Sequence, residues 1–202
     1  MTKPLWQPSK KQIEQSNLWR FMQQLNHKHQ LTLSSYDQLY QWSIDNSASF
    51  WEQVWQQCAV ISSQKGDTIV NQTEKMLEAK WYPQAKLNFA ENMLKVRDES
   101  TALIFCGEDG AREEITYQAL YTRVAALVGG LQKYNIQPGD RVAGFMPNVI
   151  DTVVAMLATT SLGAVWSSCS PDFGINGVLD RFGQIEPRIL FLISTILLST
   201  IG

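Results

Sequence analysis

Apolar residues in the second half of the chain recur at two different periods, and the alternation between those periods sets out a fold. Leu120, Val124, Leu127 and Leu131 fall at helical spacing, the buried stripe of an amphipathic helix capped by Thr116. A turn at Pro138-Gly139-Asp140 leads into a short apolar run from Arg141 to Met146, read as a strand. A second helix is expected from about Val149 to Leu162, with Asn148 placed to cap it and Gly163 to stop it. Ala164 to Ser168 reads as another buried strand, Gly174 to Ile185 as a third helix, and Arg188 to Ile193 as one more strand after Pro187. Thr101 to Cys106 and Glu113 to Thr116, joined by a turn at Glu108-Asp109-Gly110, read as a hairpin.

The first half is patterned differently. Ser9 with Gln12 forms a capping box ahead of a helix whose stripe is Leu18, Phe21, Met22 and Leu25. Ser35 with Gln38 starts a second helix through Leu39 and Trp42, and a third after Ser47 would bury Phe50, Trp51, Val54 and Trp55. Gly66 to Lys80 is polar and mixed in charge, a linker or exposed loop, and Asn88 with Glu91 caps a short helix to about Lys95. Six of the seven tryptophans lie between Leu5 and Trp81. Large aromatics at helical spacing serve as packing anchors more often than as ligand-stacking surfaces. Helices this short need a body to lie against.

The expected class is therefore α/β. A helical N-terminal cap precedes the first part of a doubly wound, mostly parallel sheet, because short strands alternating with helices imply right-handed crossovers. The expected division is 1–94, helical, and 95–202, the α/β part. Such layers host many unrelated functions, so the class carries no chemistry by itself.

Composition narrows the partners. With 17 Lys plus Arg against 19 Asp plus Glu, the net charge of −2 offers no basic field for a nucleic acid backbone or an anionic membrane. The start lacks an apolar h-region, which reads as no signal peptide, and Cys58, Cys106 and Cys169 fit neither a disulfide framework nor a zinc site. A cytoplasmic protein with small-molecule substrates is expected. His27 and His29, the only histidines, point to different faces of a helix and read as a solvated pair rather than metal ligands.

Candidate chemistry is sparse. Neither a G-x-x-x-x-G-K-[ST] nor a G-x-G-x-x-G phosphate loop occurs, and Gly129-Gly130 inside a helix suggests close packing. Thr159 to Gly163 looks like a phosphate loop but sits at a helix C-terminus, where free carbonyls repel anions. The stretch Trp166 to Phe173 is placed where ligands of open α/β sheets collect, beyond the carboxyl end of a strand. It offers hydroxyls, an indole and backbone amides, and it also reads simply as a strand-to-helix turn. Cys169 has no histidine nearby in sequence to make it a nucleophile.

Several motifs together are specific. They are Tyr40-Gln41-Trp42-Ser43 with Phe50-Trp51, Trp81-Tyr82-Pro83, and Leu87-Asn88-Phe89-Ala90-Glu91-Asn92. Ile115-Thr116-Tyr117, Gly139-Asp140-Arg141-Val142, the run from Leu162 to Gly174, and Asp180-Arg181-Phe182 complete the set. In these the chain resembles the acyl-adenylate-forming ligases, in their acetoacetate–CoA ligase branch. The resemblance implies a helical region of the acetyl-CoA synthetase type over 1–94 and the first part of an AMP-binding domain over 95–202. It implies ATP, Mg²⁺ and coenzyme A as cofactors, and activation of acetoacetate as an acyl-adenylate before transfer to a thiol.

By the same resemblance Trp166, Ser167 and Ser168 correspond to a wall of the coenzyme A channel. No residue of the chain is carried over as catalytic or metal-binding, because the family's phosphate loop, metal carboxylate and catalytic lysine are expected further along than this chain extends. The chain alone is therefore expected to be inactive. Acetate or propionate as the acid, and a non-catalytic coenzyme A-binding module, remain open beside acetoacetate. From about Phe191 the sequence becomes an uncharged apolar run through Ile201, which reads as an atypical, aggregation-prone tail too short to span a membrane.

Overall fold

The structure is a computed structural model and describes residues 5–71 and 75–192. Of the apolar tail expected from about Phe191, residues 193–202 lie outside the described residues. Two compact units, Met1–Lys86 and Leu87–Gly202, divide the chain.

In the first unit the helix expected from Ser9 is two helices. Ser9 forms its capping box with Gln12 at the start of α1 (Lys10–Glu14), but Ser16 then caps α2 (Asn17–His29). The Ser16 hydroxyl donates to the Ile13 carbonyl at 2.7 Å and accepts from Trp19 N–H at 3.1 Å, so one side chain closes a helix and opens the next. Leu18 lies in the first turn of the restarted helix and is exposed. Phe21, Met22 and Leu25 are buried, and with Leu39 of α3 (Tyr36–Asp45) they form a small core against Phe50 and Val54 of α4 (Ser47–Gln57). Phe21 and Phe50 meet edge to face at 5.5 Å.

Trp51, expected to be buried, is exposed and meets Trp81 at 6.0 Å. His29 is half-buried rather than fully solvated. Its ring packs on Trp42 at 5.3 Å with Nε2 out of reach of water, because α3 lies across the end of α2. The segment expected to be a linker forms half of a two-stranded ribbon, β1 (Val70–Asn71) antiparallel to β2 (Lys80–Trp81). Its ladder is extended at Tyr82, whose N–H reaches the Ile69 carbonyl at 2.7 Å.

The second unit begins with α5 (Phe89–Met93), capped by Asn88. The hairpin of β3 (Thr101–Cys106) and β4 (Arg112–Thr116) is a separate antiparallel pair. Thr116 then caps α6 (Tyr117–Lys133) as expected. The rest alternates: β5 (Arg141–Phe145), α7 (Ile150–Ser161), β6 (Val165–Cys169), α8 (Ile175–Ile185), β7 (Ile189–Leu192). The three strands are parallel in the order β6-β5-β7.

Both faces of this sheet are covered, and β5 shows how. Val142 belongs to the cluster built by α6 and α7, whereas its neighbour Ala143 packs with Cys169 and Phe182 of α8. Both are fully buried, the signature of a central parallel strand with helices on each side.

Two local expectations change. Asn148 does not cap α7; Val149 occupies the cap position without a side-chain bond, and the Thr152 hydroxyl instead binds the Pro147 carbonyl at 2.6 Å. The Pro147 carbonyl also receives Val149 N–H, so the turn after the proline is closed one residue later than the spacing suggests. Gly129 and Gly130 permit no close packing among the described residues, since a side chain at 129 would meet nothing and one at 130 only Leu127 at 4.0 Å.

Asn88 joins two helix ends. Its side-chain oxygen accepts from Glu91 N–H at 3.1 Å, while its amide donates to the carbonyls of Thr160 and Ser161 at 2.9 and 3.2 Å. Both lie in the last turn of α7; the Thr160 carbonyl also accepts from Gly163 N–H at 3.1 Å, so the amide's larger service is to the Ser161 carbonyl. At the same amino end of the sheet, Asp140 Oδ2 accepts from Gln137 N–H at 2.7 Å and from Arg188 Nη1 at 2.6 Å. The Gln137 amide, and then Arg188 and Arg141, hold the Asp140 carboxyl below its ordinary value.

Replacing Asn88 with Ala is expected to cost about 2 kcal/mol, a cap plus the orphaned Ser161 carbonyl, read as a lowered urea midpoint with unchanged slope. Because the folded-state Asp140 is depressed, its contribution is present above the ordinary aspartate range and is lost as pH falls through the folded value. Asp140→Asn is therefore expected to narrow the stability difference between pH 7 and strongly acidic solution, as measured by thermal melts across that range.

Candidate functional site

The carboxyl edge of the β6-β5-β7 sheet gathers the chain's candidate chemistry, because parallel strands deliver all their following loops to one side. After β5 the loop is Met146 to Val149, and after β6 it is Ser170 to Gly174. Strand β6 runs on to Cys169, so Trp166, Ser167 and Ser168 lie inside the strand and not in the loop that follows it. Trp166 pairs with Val142, Ser167 with Ala143 and Ser168 with Gly144.

Side chains alternate along a strand, and this separates the three. Trp166 and Ser168 share the face of Val142 and Gly144, while Ser167 shares the opposite face with Ala143 and Cys169. Ser168 is exposed near the carboxyl end, Trp166 and Ser167 are half-buried, and Cys169 is buried. The structure thus brings Trp166 and Ser168 together and turns Ser167 away.

Trp166 is held by what it covers. A side-chain carbon at Gly144 would stand 2.6 Å from the indole Cη2 and 2.7 Å from Cζ2, so the far edge of the ring lies against the backbone of β5. Its centroid is 6.2 Å from the Phe191 ring on β7. Starting one row back, at the level of Val142, the indole therefore leans toward the carboxyl edge across all three strands.

The loop after β6 is ordered by its own polar groups. Ser170 Oγ donates to Asp172 Oδ2 at 2.8 Å, and Phe173 N–H reaches the Ser170 carbonyl at 3.2 Å. The Arg181 guanidinium lies 3.9 Å over the Phe173 ring and donates to the Gly177 carbonyl at 3.1 Å, so its charge is already engaged. Gly174 caps α8 without a side-chain bond. Next to this edge a groove of about 620 Å³ runs between the β3 end of the hairpin and the start of α7, with Phe105, Glu108, Asn148 and Val153 among its walls. Its size suits a small organic ligand.

Among the described residues no three His, Cys, Asp or Glu side chains stand close enough to hold a metal, and no helix is long and apolar enough to cross a membrane. Gly144 is the residue that pattern reading passed over as part of the site's framework. The glycine in Val142-Ala143-Gly144-Phe145 was the available signal, since glycine inside a strand marks a close approach.

A family model described as AMP-binding enzyme matches residues 89–200, more than half of the chain. The chain belongs to this family. A second model, acetyl-coenzyme A synthetase N-terminus, matches residues 36–93. Among relatives, the acetoacetyl-coenzyme A synthetase of Rhizobium meliloti is 42% identical over 94% of this chain and 29% of its own length. The malonamoyl-CoA synthetase vrtB of Penicillium aethiopicum is 42% identical over 93% of this chain and 27% of its own. A solved acetoacetyl-CoA synthetase from Streptomyces lividans is 38% identical, with a TM-score of 0.86 over 95% of this chain and 30% of that one. The chain thus spans about three-tenths of the length of the proteins it matches.

The alternation of β6 is open to a direct check. In the native chain an alkylating reagent is expected to modify the exposed Cys58 and Cys106 and to leave Cys169, on the Ser167 face, untouched until denaturant is added. Mass analysis of the peptides reads the result, and rapid native labelling of Cys169 would mean that β6 carries its side chains in the opposite sense.

Proposed function

We propose that this chain is part of an ATP-dependent, AMP-forming ligase that activates acetoacetate and transfers it to coenzyme A. The observation that carries this reading is the order of the two family models along one chain, a synthetase N-terminal segment running into an AMP-binding segment. Relatives named for acetoacetate support the acid. Activation answers a chemical need: a carboxylate resists attack by a thiol until one of its oxygens leaves as part of a good leaving group, and adenylation supplies one.

The described residues fit one part of that chemistry. Ser168 presents a hydroxyl, and Trp166 an indole, at the carboxyl edge, which suits the neutral, amide-rich arm of coenzyme A better than a triphosphate. We assign Trp166 and Ser168 to the channel wall, and Ser167 to the packing behind it. Mg²⁺ and the ATP phosphates find no such fit among the described residues, so no step is derived through them. The domain reading that accompanies this has 1–94 as the helical N-terminal region and 95–202 as part of the AMP-binding domain. The protein is assigned to the cytoplasm on its cysteines, none of which is in a disulfide.

A second acid has an observation in its favour. The vrtB relative is as similar as the acetoacetate enzymes, and malonamate, like acetoacetate, is a short acid with a carbonyl at its third carbon. Grafting this chain in place of the matching region of the Streptomyces lividans enzyme separates the readings. The graft is expected to retain acetoacetate-dependent exchange of pyrophosphate into ATP, which does not use coenzyme A, whereas the 202-residue chain alone gives none. Within the graft, Ser168→Trp is expected to raise KM for coenzyme A several-fold and to leave the exchange unchanged. A folded graft that prefers malonamate or acetate, or that catalyses no exchange, would overturn the assignment of acetoacetate.

A further inference from the structure

We infer that Gly144 is a positioning residue for Trp166, and that the two form a size-matched pair fixing one wall of the carboxyl edge. This rests on the reading of Trp166 as part of that wall. Gly144 is buried in the middle of the central strand, a place where β-branched residues are the ordinary choice and where glycine costs stability. Its φ does not lie in the left-handed region, so backbone conformation does not demand glycine there. Space does. A single added carbon would come within 2.7 Å of two indole carbons and 3.5 Å from Met146 Sδ, far inside van der Waals contact with a rigid ring.

The indole cannot give way cheaply. Phe191 flanks it on the far strand, and Trp166 packs against the cluster formed by α6 and α7. A side chain at 144 would therefore lift the ring off β5, out toward the edge where Ser168 is exposed. The consequence is directional: the absence of a side chain on β5 decides how far an aromatic plate on β6 protrudes into the space beside Ser168. Trp166 at this position and a side chain at 144 are mutually exclusive, whereas a smaller residue at 166 would make room for one.

The test labels the chain with 5-fluorotryptophan and follows fluorine resonances, with Trp166→Phe identifying the line from position 166. Gly144→Ala is expected to move that line while leaving the lines of the remaining tryptophans in place, and to lower the melting temperature. Trp166→Leu added to Gly144→Ala is expected to recover most of that loss, a non-additive pair. A Trp166 line unmoved by Gly144→Ala, or a double variant no more stable than Gly144→Ala, would overturn the pairing. Should Gly144→Ala fail to fold, a folded double variant supports the proposal and an unfolded one sinks it.

Titrating coenzyme A into the labelled wild-type chain tests the wall itself. A shift of the Trp166 line on coenzyme A addition supports the wall. No shift would remove that reading, while the Gly144 result still stands or falls on its own.

Discussion

The burial of β5 on both faces is the constraint on which the second unit depends. Val142 and Ala143 are each without solvent contact, one beneath α6 and α7 and the other beneath α8, so the strand cannot shift by one residue without exchanging its two cores. That fixed register passes outward through the ladders. Trp166, Ser167 and Ser168 take their faces from Val142, Ala143 and Gly144, and Ile189 and Phe191 take theirs in the same way. The placement of every side chain at the carboxyl edge thus descends from which face of β5 each helix covers.

Two polar devices hold the helices and strands to that register. Asn88 ties the start of α5 to the end of α7, immediately before the turn at Gly163, where φ is +71° and a side chain would press on Pro138 at 3.3 Å. Asp140 and Arg188 tie the beginnings of β5 and β7 at the same end. Exposed ion pairs contribute little by themselves. Here the aspartate also caps the turn through Gln137 N–H, so its role is to fix where β5 begins more than to add net stability.

Most of the second unit was legible in the sequence because its signals are local and agree with one another. The stripe of α6, the Thr116 cap, the glycine turns and the strand runs were all placed within a residue or two. The errors arise where a distant group competes with a local one. Ser16 divides the first helix because its hydroxyl has carbonyl and amide partners on both sides; pattern reading saw only a continuous stripe. Trp51 has helical spacing for burial but is exposed, its ring set against Trp81. Asn148 is a good cap in sequence, yet Thr152 already occupies the carbonyl that shapes that turn. The extent of β6 was misjudged by one residue, and with side chains alternating this is enough to confuse strand with loop.

What the carboxyl edge offers also limits what this stretch can contribute to a ligase. Adenylation concentrates negative charge, and stabilising it requires cations or amides aimed at phosphate oxygens in a site shielded from water. At this edge Arg181 is stacked on Phe173 and bonded to Gly177, and Asp172 is bonded to Ser170, so its charged groups are committed to shaping the loop. The remaining features are an exposed hydroxyl, an aromatic plate and a groove of mixed polar and apolar walls. Such a surface selects by shape and by neutral hydrogen bonds, which are the terms that distinguish an acyl-carrying arm from a nucleotide phosphate. Under the proposed assignment, a wall that let a thiol approach and a thioester depart would be better built from a rigid ring and a hydroxyl than from charges that would bind either one too tightly.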